Sequence, residues 1–165
     1  MSSRDDIAPD VVSRHTGTLS NGDTSRPARY GAILLIRLSV GSIFLSEGVQ
    51  KFLFPEALGA GRFTTIGIPA PQIMAPFVGV VEIGCGLLVL LGLFTRLATI
   101  PLVVDMLVAI ATTKVPILLK SGFWSMAHEA RTDWAMLLST LFLLIAGPGS
   151  WSLDARRQGR RPGYG

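Results

Sequence analysis

Apolar residues dominate the chain from Tyr30 to Pro148, in four runs at roughly residues 30–53, 71–93, 97–119 and 132–147. None shows the broad polar face that a helix packed on a water-facing core requires. At 1.5 Å per residue, about 20 residues cross the ~30 Å hydrocarbon layer of a bilayer. The pattern predicts an all-α polytopic membrane protein, a bundle of four transmembrane helices. Pro27 suits the start of the first helix, and Pro55 closes it. Loop 54–70 holds the breakers Gly59, Gly61, Gly67 and Pro69, together with Phe63 and Ile66, which fit it to the membrane surface. The link Leu93–Arg96 is so short that runs two and three must form an antiparallel hairpin. Pro116 is expected to end or kink the third helix, loop 120–131 follows, and Gly147-Pro148-Gly149 closes the fourth run. Residues 1–29 read as a disordered tail without an apolar leader segment, 30–155 as the membrane domain, and 156–165 as a second, basic tail.

Composition sharpens this picture. Charged residues are 16% of the chain against ~25% in soluble domains, and the mean hydropathy of +0.50 points the same way. The net charge of +4 is split between tails and loops, with no basic stripe interleaved with aromatics, so no nucleic-acid partner is expected. Four spans put both tails on one side, which carries nine Lys and Arg against five on the other. The positive-inside rule then makes both termini cytoplasmic. Tyr30, Phe54, Trp124, Trp134 and Trp151 fall at the expected interfaces.

The candidate chemistry lies in the ionisable residues within the runs: Arg37, Glu47, Lys51, Glu82, Asp105 and Lys114. Such residues usually face the bundle interior and find partners. Counting from the helix ends places Arg37 and Asp105 level, so they are expected to pair. Glu47 and Lys51 are spaced for an i,i+4 pair, with Lys114 as a competitor for Glu47. Lys51 and Lys114 could instead reach outward to the head groups. Glu82 falls near the midplane with no level cation. It reads either as a proton carrier or quinone-facing group, or as a neutral acid bonded to a neighbouring helix. Ala75/Gly79 and Ser42/Ser46 form small-xxx-small pairs suited to close helix contact.

Other chemistries find no residues. The two histidines, His15 and His128, lie in a tail and a loop, so an intrinsic haem is not expected. His128-Glu129 lacks the spacing of a metal site, and Gly59-x-Gly61 alone is no phosphate loop. The single cysteine, Cys85, reads as a small buried hydrophobe.

Several strings resemble the DoxX family of small prokaryotic membrane proteins. They are LLIRLSVGSIFLSEGVQKF with its Gly48-to-Lys51 element, IGIPAP, VEIGCGLLVLLGLFTRLA and GPGSWSLD, in that order over about residues 30–155. The resemblance implies a four-helix bundle in the bacterial cytoplasmic membrane and an association with redox metabolism, since relatives include a subunit of a thiosulfate:quinone oxidoreductase. By matching motif it marks Arg37, Lys51, Glu82, Arg96, Glu129 and Asp154, while Glu47 departs from the family pattern. The resulting expectation is a quinone-linked subunit working with a partner protein or as a homo-oligomer. Its only expected small-molecule ligand is a quinone, faced by Glu82 with Arg37 beside it. A non-catalytic scaffold and a proton-coupled transporter are the alternatives.

Overall fold

Long apolar sequences can bury their backbone polar groups only by bonding them internally, and every long apolar run here is helical. The computed structural model describes residues 25–158, with side chains for 31–156. Of the expected tails, 1–29 and 156–165, residues 1–24 and 159–165 lie outside the described residues, while 25–29 belong to a helix that continues into the first apolar run and 156–158 to a short helix after the last. In chain order the helices are α1 (Ser25–Leu53), α2 (Ala60–Thr65), α3 (Pro71–Leu91), α4 (Thr95–Ser121), α5 (Phe123–Glu129), α6 (Arg131–Ala146) and α7 (Leu153–Gln158). No strand occurs among the described residues.

Helices α1, α3 and α4 are long and apolar enough to cross a membrane. With 16 residues, α6 is about 24 Å long, short of the ~30 Å hydrocarbon layer. Their outward faces suit lipid rather than water: Ile73 is 71% and Leu119 80% exposed. Helix α4 runs unbroken through Pro101 and Pro116, so Pro116 does not end it. The Thr112 and Thr113 hydroxyls bond back to the Val108 and Ala109 carbonyls in the turn before Pro116.

Helix α1 packs most extensively on α3, α4 on α6, and α3 on α4. The α1–α3 contact is antiparallel and made by glycines one heptad apart on each helix: Gly41 and Gly48 against Gly79 and Gly86. A Cβ at Gly41 would lie 2.8 Å from the Gly86 carbonyl oxygen, and one at Gly48 2.7 Å from that of Gly79. Backbone therefore meets backbone, as small-residue membrane interfaces allow. Of the two small pairs anticipated, Ala75/Gly79 is buried on this side. Ser42 and Ser46 are exposed, because α1 turns its glycines inward and these serines away. Val40, Phe44, Val89, Ala98, Leu102 and Leu143 form the apolar core, which fills the part of the bundle nearer the termini.

Filling a glycine contact should push α1 from α3. Gly48→Leu should lower stability by about 1–3 kcal/mol or more, the usual range for overpacking, and Ser46→Leu on the same helix should change it little. Melting of the purified variants in detergent checks this. Equal melting temperatures for both variants would mean the helices do not meet along the glycines.

Candidate functional site

Two sets of polar side chains lie in the bundle, separated by its apolar core. The first closes the end that carries the termini. Helix α3 stops at Gly92, whose φ of +65° is the left-handed conformation that suits glycine. The Gly92 N–H donates to Val89 O and the Leu93 N–H to Leu88 O, which is a Schellman closure. Arg37 enters this turn from α1 and is almost wholly buried. Its Nε donates to the Val89 carbonyl (3.1 Å) and its Nη2 to that of Leu90 (2.9 Å). Its Nη1 donates to the carbonyls of Pro148 and Trp151, both at 2.8 Å. One guanidinium thus holds the end of α3 to the segment after α6.

Asp154 completes the turn from the other side. Its carboxylate accepts from the backbone N–H groups of Phe94 (3.0 Å) and Thr95 (3.3 Å), where α4 begins. Its own N–H donates to Gly92 O at 3.0 Å. A cation at the C-terminus of α3 and an anion at the N-terminus of α4 both complement the helix dipoles. Arg96 similarly donates to Ile145 O in the last turn of α6 (3.0 Å), and Ser152 caps α7 by accepting from the Ala155 N–H.

The second set lies beyond the core. Lys51 Nζ reaches Glu82 Oε2 at 2.6 Å, with both side chains largely buried. The glycine register explains the meeting. Gly48 lies opposite Gly79 and Ile83, so Glu82 is about level with residue 47 of α1. Lys51 is one turn further out, and helical side chains lean towards the helix N-terminus, which carries its ammonium back to Glu82. Across the α3–α4 hairpin, Glu82 is nine residues before Leu91 and Asp105 ten after Thr95, so the two are level within about 1.5 Å. The Asp105 carboxyl is within hydrogen-bonding range of Glu82 and feels the charges of Lys51 and Glu47. Glu47 itself is exposed on the flank of α1. Two buried carboxyls, Glu82 and Asp105, thus gather near one ammonium. Further along α4, Lys114 pairs with Asp133 of α6 at 3.1 Å.

Several expected pairings are therefore corrected. Arg37 does not pair with Asp105 and is not beside Glu82: its guanidinium is spent on carbonyls at the end of α3, about 11 Å of helix from Glu82. Counting depth from Tyr30 set Arg37 too deep, because Arg37 is level with the end of α3 and the turns of α1 before it extend past that end. Glu82 is not without a cation, since Lys51 folds back to it instead of pairing with Glu47 or reaching outward. Lys114 meets Asp133 rather than Glu47. Glu129 is exposed at the end of α5 and belongs to neither ion pair. Asp133 was not singled out from the sequence, although it sits in the first turn of an apolar helix. Among the described residues no group of three or more His, Cys, Asp or Glu side chains could hold a metal ion.

Comparison with known proteins agrees with a membrane protein. The family model for DoxX matches residues 32–115. An uncharacterized membrane protein of Mycobacterium tuberculosis is 54% identical over 140 residues, which cover 81% of this chain and 86% of that protein. A Bacillus subtilis protein named "Putative oxidoreductase CatD" is 32% identical over 73% of this chain and 83% of its own length. The inner membrane protein YphA of Escherichia coli is 30% identical over 78% of this chain and 92% of its own. No solved structure matches.

The Lys51–Glu82 pair should behave as a unit. Lys51→Met or Glu82→Leu alone strands a buried charge and should cost about 3–5 kcal/mol, whereas the double variant should recover much of that loss. A double-mutant cycle on detergent melting reads the coupling. Additive losses would show that the two charges do not sense each other.

Proposed function

Since this chain belongs to the DoxX family of membrane proteins, we propose that it is a quinone-linked, redox-associated membrane subunit whose Lys51–Glu82–Asp105 level faces the quinone head group. The observation that carries the reading is the charge balance of that level. One ammonium is held at 2.6 Å by one of two adjoining carboxyls, deep in an apolar bundle. The second carboxyl needs a proton or an incoming cation to be neutral, and a proton shared at such a level can be passed on. Reducing a quinone to a quinol takes two electrons and two protons at its carbonyl oxygens. Lys51 offers a hydrogen bond to one such oxygen, and the Glu82–Asp105 pair relays protons to it. The electrons come from a partner protein, since the candidate level holds only acid and base groups. The name of the Bacillus subtilis relative lends this reading support.

In the same proposal α6 is the fourth span, with its short apolar length extended by the α5–α6 corner. Both termini face the cytoplasm of a bacterial inner membrane, as the excess of Lys and Arg on that side favours. Reporter fusions at the C-terminus and in loop 54–70 should then report opposite faces of the membrane. Equal signals from both fusions would overturn this topology.

Asp105→Asn is the cleaner probe of the proton role, because it leaves the Lys51–Glu82 ion pair in place. The parent, purified gently from native membranes, should carry quinone. The variant should melt like the parent and yet slow quinone-linked turnover of the native complex by about a hundredfold, within the usual share of a positioned proton donor. A parent free of quinone, or an Asp105→Asn variant as active as the parent, would leave a scaffold role as the better account.

A further inference from the structure

Helix α1 differs from its neighbours on the side it turns outward. The glycine register sets Gly48 against Gly79 and Gly41 against Gly86, so residues 46 and 47 are level with the middle of the 21-residue α3. Around that depth the outward faces of α3 and α4 are apolar, with Val80, Leu87, Val104 and Leu107 exposed. On α1 the exposed residues there include Ser39, Ser42, Ser46 and Glu47, with Gln50 beside them half-buried. Ser42 Oγ turns back to the Ser39 carbonyl (3.1 Å), and one Gln50 N–H donates to Ser46 Oγ (2.9 Å). The other Gln50 N–H and its oxygen have no partner among the described residues. Polar groups facing hydrocarbon are costly, and a carboxyl at the midplane most of all.

The spacing of the face indicates what covers it. Leu35, Ser39, Ser42, Ser46, Val49 and Leu53 follow one another at alternating steps of four and three residues, and all six are exposed. That is a heptad seam, the pattern by which two parallel helices wind on each other. From residue 35 to 53 it is about 27 Å long, close to the thickness of the hydrocarbon layer. Leucine closes it at both ends, and the serines in its middle are small enough for two backbones to approach. Two copies inserted in the same sense are related by a twofold axis along the membrane normal, which sets each seam residue against its own counterpart at the same depth. Hydroxyls and amides both donate and accept, so this stripe is complementary to itself. Carboxylates are not, and Glu47 is about 100° of helix past Ser46, beside the seam. The twofold axis therefore sends the two acids to opposite sides of the helix pair.

We propose that two copies of this chain associate in parallel through the outward face of α1, with Ser39, Ser42 and Ser46 at the centre and Gln50 bonding across the seam. The test uses the full-length chain with Cys85→Ala, reconstituted in phosphatidylethanolamine and phosphatidylglycerol liposomes. Iodine oxidises two facing thiols to a disulfide and is itself reduced to iodide. Ser39→Cys, Ser42→Cys and Ser46→Cys should each give a reducible band at twice the mass of the chain. Val80→Cys on α3 and Val104→Cys on α4 should not. Energy transfer between chains labelled at the C-terminus then reads affinity in the same liposomes. Ser46→Phe should weaken association about tenfold, and Val80→Phe, of equal bulk on the outward face of α3, should leave it unchanged. Should Ser46→Phe not fold, Gln50→Leu, which removes only an amide, should weaken association severalfold. Crosslinking alike from all three helices, none from α1, or association unmoved by folded variants would each overturn the proposal. So would a Ser46→Cys chain that joins a different polypeptide in native membranes and never itself in liposomes.

Discussion

The architecture hangs on one guanidinium. In hydrocarbon an unpaired backbone carbonyl costs several kcal/mol, and the end of a helix exposes four of them. Arg37 gives its donors to carbonyls on two separate segments, which binds α1, the end of α3 and the chain after α6 into one closure. A lysine could not do this, because its single nitrogen lacks the planar fork that reaches both segments. With the turn between α3 and α4 pinned, the register of the hairpin follows. From that register come the level of Glu82 with Asp105 and the ladder of glycines that brings Lys51 to Glu82.

The apolar core divides the polar residues by task. At the termini end the charges are consumed by backbone groups: Arg37 and Arg96 on carbonyls, Asp154 on amides. Beyond the core the charges face one another, and the carboxyls outnumber the ammonium. Charges bound to fixed backbone groups have no latitude to change partner or protonation. Charges that meet only side chains do, which is why the second group is the better seat for chemistry.

Much of the fold was legible in the sequence, because apolar runs and breakers report helices and turns directly. The tight link at Leu93–Arg96 revealed the α3–α4 hairpin, and the charged residues inside the runs drew attention to the right positions. Pairing was not legible, since it depends on register to within one turn. Helix α1 begins in polar sequence at Ser25 and its first turns extend past the end of α3, so its apolar run was a poor ruler for the depth of Arg37. The depth of Glu82 was counted from the far end of α3, which hid that it faces Asp105 across the hairpin. The seven-residue spacing of Gly41/Gly48 and Gly79/Gly86 was a usable signal for the α1–α3 contact. It was missed because four-residue spacing was sought. Nothing in the sequence announced that Arg37 would bond to backbone rather than to an acid.

The closure at Gly92 also imposes an order on biogenesis. Arg37, Gly92 and Thr95 are made and can enter the membrane while residues 148–154 are still untranslated. Until those residues leave the ribosome, Arg37 has only half its carbonyls, and the amides at the start of α4 lack the Asp154 carboxylate. The hairpin must therefore wait, incompletely capped, for the last stretch of nascent chain. A polypeptide cut short before Pro148 would carry every long apolar helix and still lack its lock, so this one turn separates a finished molecule from a truncated one.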